Sequence, residues 1–238
     1  MEARMAGHAE PDALARESLR RRLTSKQAED VQLALAERVR TRGIKLTEVH
    51  TVAGAAAVSA NDKIFAAAVL LAFPTLEMIA RSTVQAMALM PYVSGLRAFR
   101  DGQALAAAIE GLNLRPDVVF FRGHGIAHPR GCGLASHVGL ALGIATIGCA
   151  QRMIGAQASL SAGEPGDCAP LVDDRGRQVG AVVVTRRGSR PLLVSVGHLI
   201  DLGTATALAL TCSRGHALPE PLRLAAAEAR AARTQRER

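Results

Sequence analysis

Hydrophobic positions along this chain recur at two spacings, and the switches between them mark out its elements. Val31, Leu35 and Val39 fall every four residues behind the segment Thr24 to Gln27, whose first and last residues stand three apart as in a capping box. This predicts an amphipathic helix that begins at Thr24 and stops near Gly43. From Glu48 three strand-like runs follow, broken at Asn61-Asp62 and at Pro74-Thr75, and such turn residues predict consecutive antiparallel pairing. Ala104, Leu105, Ala108, Ile109 and Leu112 share one face of a second helix, and the run from Asp117 to Phe121 is apolar without alternation, as in a strand buried on both faces.

A short helix near Ser136 to Gly143, a strand over Ala145 to Ala150, a hairpin over Gln178 to Gly197 and a helix after Asp201, its predicted N-cap, complete the pattern. A meander followed by strands alternating with helices implies an α/β fold, a mixed sheet flanked by helices in a single domain. Residues 1–22 show no clean apolar stripe and are expected to fray; 23–225 form the domain, and 226–238 a basic C-terminal tail. In such sheets sites gather at the carboxyl ends of strands. Arg122 stands at one of these ends, directly before the glycine-rich stretch Gly123 to Gly133.

Composition changes the picture little. The chain has 238 residues, is 49% hydrophobic and 21% charged, enough to bury a sizeable core. Its longest strongly apolar run, Phe65 to Phe73, is too short to cross a bilayer, and the first residues lack a signal peptide's apolar core, so no membrane association and a cytoplasmic location are expected. Four cysteines stand far apart, which suggests neither a zinc site nor a disulfide framework. The net charge of +8 divides into +3 over residues 1–45, +3 over 214–238 and +2 between them, so the basic excess belongs mainly to the ends and reads as solvated segments rather than as a binding arm.

Four segments are more specific: "MPYVSGLRAFRD" at Met90 to Asp101, "DVVFFRGHGIAHPRGCGLASHVGLALGIATIGCA" at Asp117 to Ala150, "VSVGHLIDL" at Val194 to Leu202 and "LPEPLRLA" at Leu218 to Ala225. In order and spacing they resemble the endonuclease V family from roughly Val49 to Leu224. The resemblance implies a ribonuclease H-like fold and a magnesium-dependent nuclease that acts on deaminated adenine in DNA or RNA, with three carboxylates and one histidine at its site. Carried over position by position, Ala56 and Arg122 replace two of the acids, Asp101 replaces a glutamate, and His198 matches. The resemblance further places Tyr92 in a strand-separating wedge, and Gly95, Gly123, His128, Arg130 and Gly133 around a pocket for a flipped base. Arg97 stands where an aliphatic residue is usual, and Gln151 where a lysine is.

Magnesium takes hard oxygen ligands, and a fixed guanidinium at position 122 repels it. The leading reading is therefore a pseudo-nuclease with no metal or other cofactor that retains nucleic-acid binding, with Arg122 paired to Asp101 in the former metal space. Two alternatives stand beside it: an active magnesium-dependent endonuclease with a rearranged site, and a module that binds a protein partner or an anion. Asp101 also reads as the N-cap of a helix starting at Gly102. The sequence leaves oligomeric state open.

Overall fold

The computed structural model describes residues 8–152, 156–158 and 163–236. Its centre is a mixed sheet of nine strands among the described residues, in the order β3-β2-β1-β4-β5-β9-β8-β7-β6. The three predicted meander strands are β1 (Thr51–Ala60), β2 (Lys63–Ala72) and β3 (Met78–Met87), paired antiparallel in sequence. Next come β4 (Val118–Arg122), parallel to β1, and β5 (Ala145–Ala150), parallel to β4. Then β6 (Ala156–Ala158), β7 (Cys168–Asp173), β8 (Gln178–Val183) and β9 (Leu192–His198) extend the other side, with β9 antiparallel to β5. The strands β6 and β7 are not anticipated by the sequence reading.

Six α-helices cover the sheet: α1 (Ala13–Ser18), α2 (Ser25–Ala36), α3 (Arg97–Glu110), α4 (Leu134–Leu142), α5 (Leu202–Ser213) and α6 (Glu220–Arg236). The alternation of side chains along β4 explains its unbroken apolar run. Val119 and Phe121 enter the core shared with α1 to α4, whereas Val118 and Phe120 enter the core shared with α5 and α6. The Thr24 capping box forms as predicted, but α2 ends at Ala36 rather than near Gly43. Gly43 serves a different purpose: a side chain there would collide with the carbonyl of Leu199.

Both chain ends depart from expectation. Within the segment expected to fray, Asp12 caps α1 through the Ala15 amide, and Ala15 and Leu19 are fully buried. His137 of α4 anchors this helix, its Nε2 facing the Ser18 hydroxyl at 2.9 Å and the Ala15 carbonyl at 3.2 Å. One turn of helix carries too few residues to show a period, so packing reveals what the sequence could not. At the other end, the residues read as a tail from 226 continue α6, with Ala226 and Ala229 buried together with Leu222 and Ala225. Alanines at helical spacing form the buried stripe, and the arginines of the same stretch lie outside it. Of the four cysteines, Cys132, Cys149 and Cys212 are buried and Cys168 is exposed.

The start of α6 crosses β1 at Gly54, where any Cβ would run into the Pro221 carbonyl. Backbone cannot yield there as the end of a flexible side chain can, so Gly54→Ala is expected to cost about 3 kcal/mol through overpacking. Urea unfolding measures this; an unchanged midpoint would show that α6 shifts freely.

Candidate functional site

At the carboxyl ends of β4 and β5, a cleft of about 450 Å³ opens between the loop before α3, the loop Gly123 to Gly133 and the turn joining β8 to β9. It contains Tyr92, Gly95, Gly123 and His128 from the sequence-predicted set, together with Arg97, Arg122, Arg152 and Arg190. A separate hollow of about 320 Å³, bounded by Ile109, Leu114, Arg115 and Leu142, lies at the far end of α3 and contains none of the predicted residues.

Asp101 lies inside α3 rather than ahead of it, because the helix starts at Arg97; it is not an N-cap. Only 4% of the residue is exposed. One oxygen accepts from Arg97 Nε at 2.7 Å and the other from Arg100 Nη1 at 3.3 Å. Arg97 precedes Asp101 by four residues and so shares its helix face, and its Nη1 also donates to the backbone carbonyl of Arg122 at 2.6 Å. The expected pair between Arg122 and Asp101 is therefore absent. Arg122 points its side chain into solvent, where the guanidinium keeps its hydration and needs no acid.

Ala56 sits one step beyond Ala55, which pairs with Phe121 in the parallel ladder, so Ala56, midway along β1, lies beside Arg122, the last residue of β4. The Ala56 side chain is 5% exposed and belongs to an apolar cluster with Phe120, Leu222 and Ala226. These residues do not fit magnesium. Asp101 has both oxygens engaged by guanidiniums, Ala56 offers a methyl group packed into the core on the α6 side of the sheet, and Arg122 offers a cation. Among the described residues no three His, Cys, Asp or Glu side chains converge on a metal position.

His198 is not brought to this place. Arg122 pairs with Cys149, and Cys149 pairs in turn with Val194, four residues before His198 on β9. Four residues of strand separate it from the cleft by roughly 13 Å. The carboxyl end of β9 faces the opposite way because β9 runs antiparallel to β5. There His198 Nδ1 accepts from the Arg40 amide at 3.2 Å. Burial, and then the charge of Arg40, push its pKa down to about 4.

The glycine-rich loop is held close to the sheet. A side chain at Gly125 would meet the Val196 carbonyl, and one at Gly133 the His124 carbonyl. Gly95 adopts a φ of 83°, a conformation that favours glycine. Arg130 braces this wall rather than facing the cleft: its Nε donates to Gln32 at 2.7 Å and its Nη1 pairs with Glu29 at 3.4 Å. His128 does face the cleft. Its Nδ1 accepts from the Arg130 amide at 3.2 Å, so the proton resides on Nε2, which is buried toward the Gly95 backbone and makes no well-formed hydrogen bond. Tyr92 is 68% exposed at the rim. Two cleft residues escaped sequence reasoning, His124 and Arg190. His124 lies within the glycine-rich segment, where its spacing offered a signal, whereas Arg190 lies on a distant turn and offered none.

A family model described as Endonuclease V matches residues 33–227. The chain is 42% identical to the endonuclease V of Methanothrix thermoacetophila over 199 residues, 84% of this chain and 87% of that one. Among solved structures it is similar to the endonuclease V of Streptomyces avermitilis, with a TM-score of 0.84, 33% identity and coverage of 90% and 95% of the two chains. It shares its fold with the Ciona intestinalis endonuclease V solved with an inosine-containing 24mer DNA, at a TM-score of 0.79, 22% identity and coverage of 89% and 99%.

Burial holds the pKa of His128 and of His137 down at about 4, below the ordinary 6.5. Between these values the unfolded chain takes up protons that the folded chain refuses, so stability is full above pH 6.5 and declines as pH falls toward 4. Each histidine is expected to remove roughly 2 kcal/mol at pH 5. Urea midpoints compared at pH 7 and pH 5 should show the loss, and His128→Gln should remove its share. A flat profile would contradict these buried neutral imidazoles.

Proposed function

The chain belongs to the endonuclease V family, and from that membership we propose that it is a non-cleaving member whose cleft binds nucleic-acid strands. The observation that carries this reading is the state of Asp101, whose two oxygens accept from Arg97 and Arg100. Metal-dependent phosphodiester hydrolysis needs an ion to generate the attacking hydroxide and neutralise the leaving oxygen. Such an ion is usually held by one or two carboxylates together with substrate phosphate. Here the carboxylate that remains is neutralised within its own helix, and Arg122 puts a positive group at the end of β4. Like unit charges 4 Å apart repel by about 4 kcal/mol at an effective dielectric near 20, and a divalent ion doubles that figure.

The binding half of the proposal rests on the cleft itself. Among the described residues its walls carry four arginines and no acidic residue, and Gly95, Gly123 and His128 line it beside them. A flipped base needs this kind of narrow pocket with unpaired hydrogen-bonding groups. The Ciona protein, which shares the fold, was solved with inosine-containing DNA. For the present chain, affinity for a strand should fall steeply with salt.

Incubating a labelled strand carrying one deoxyinosine with purified protein and magnesium or manganese tests the loss of cleavage, with the Methanothrix relative as positive comparison. The strand is expected to stay intact; turnover above that of a mock purification would overturn the proposal. Manganese titration followed by electron paramagnetic resonance gives a second readout. Ala56→Asp with Arg122→Asp should bind the ion weakly while Arg97 still holds Asp101, and adding Arg97→Leu should tighten binding about tenfold, the scale on which groups that hold a ligand side chain act.

A further inference from the structure

In a metal-dependent nuclease, acids at the strand ends repel the substrate backbone until a cation bridges the two. This chain has the opposite sign at the same place. Arg122, Arg152 and Arg190 are exposed on the cleft and form no ion pair among the described residues, whereas Arg97 and Arg100 are engaged by Asp101. Among the described residues no carboxylate lines the cleft to compete for these guanidiniums. A second feature points to a ligand in the same space. His128 lines the same space and is 6% exposed, and its protonated Nε2, turned toward the Gly95 backbone, makes no well-formed hydrogen bond, although buried donors are seldom left unmatched.

We infer that Arg122 holds a phosphate of the bound strand directly, so that this cleft takes a nucleic-acid strand without any divalent cation. The inference rests on the nucleic-acid reading above and deepens it. A guanidinium matches the geometry of a phosphate with two parallel hydrogen bonds and remains charged at every relevant pH. Arg122 is anchored for that purpose at its backbone, since its carbonyl accepts from Arg97 at 2.6 Å, while its side chain stays free. Arg152 and Arg190, on the adjoining walls, extend the positive field along the path of the strand. Magnesium in this setting is only a competing counterion for the strand.

Fluorescence anisotropy with a short labelled single-stranded DNA carrying one deoxyinosine, at constant ionic strength in EDTA or in magnesium, tests this. The dissociation constant is expected to agree between the two buffers within about twofold, and Arg122→Ala to weaken binding about tenfold in both while reducing the salt slope by about one. Arg122→Lys, which keeps the charge, should retain the slope. Because Arg122 is exposed, thermal unfolding of each variant should match the natural protein. Binding that requires magnesium, or that ignores Arg122→Ala, overturns the direct phosphate contact while nucleic-acid binding stands. Failure to bind any strand in either buffer overturns the nucleic-acid reading itself.

Discussion

A carboxylate removed from water has to be met by charge or by several donors, and Asp101 is met by two guanidiniums of its own helix. That buried ionic cluster sets the character of the site. Removing either arginine would leave a buried acid short of a partner, a costly state, so the helix that presents the acid also keeps it occupied. The second reach of Arg97, to the Arg122 carbonyl, ties the first turn of α3 to the end of β4. The geometry in which a nuclease would hold an ion is thus fixed here by hydrogen bonds internal to the protein.

The neighbouring positions follow the same logic from the apolar side. Ala56 closes against Phe120, Leu222 and Ala226, so the floor that would otherwise display acids is part of the core between the sheet and α6. Crowding like charges around a metal position costs stability when the metal is away, and small apolar residues relieve that strain. The close crossing of α6 over Gly54 requires small side chains along this stretch of β1 in any case. An acid at position 56 would have to find its partner across the ladder at Arg122 or remain unpaired among methyl groups.

The sequence made most of the sheet legible, since a period of two, turn residues at Asn61-Asp62 and caps at Thr24 and Asp201 are all local signals. It missed α1, which has one turn and is secured by the distant His137, and it cut α6 short because alanines among arginines resemble a solvated tail. At the site, Arg122 was placed correctly at the end of a strand and Ala56 within the first one. The partner of Asp101 was not, because this depends on α3 starting one turn earlier than its apolar face suggests. His198 was assigned to the site because it matches the family pattern, but the direction of β9 decides which rim its end faces. Arg190 reaches the cleft only through the hairpin of β8 and β9, a tertiary fact with no local trace.

Recognition and hydrolysis are supported by different parts of this fold, which is why one can persist without the other. The shape of the loop after β4 depends on Gly125 against the Val196 carbonyl, Gly133 against the His124 carbonyl, and Ser195 Oγ accepting from the Gly125 amide at 2.8 Å. The opposite wall depends on Gln32, whose amide nitrogen donates to the carbonyls of Gly95 and Cys132 at 3.0 and 2.8 Å. None of these contacts passes through Ala56 or Asp101, or through the side chain of Arg122. In the proposed reading, a change of charge at the end of β4 therefore alters what the cleft attracts and leaves its walls in place.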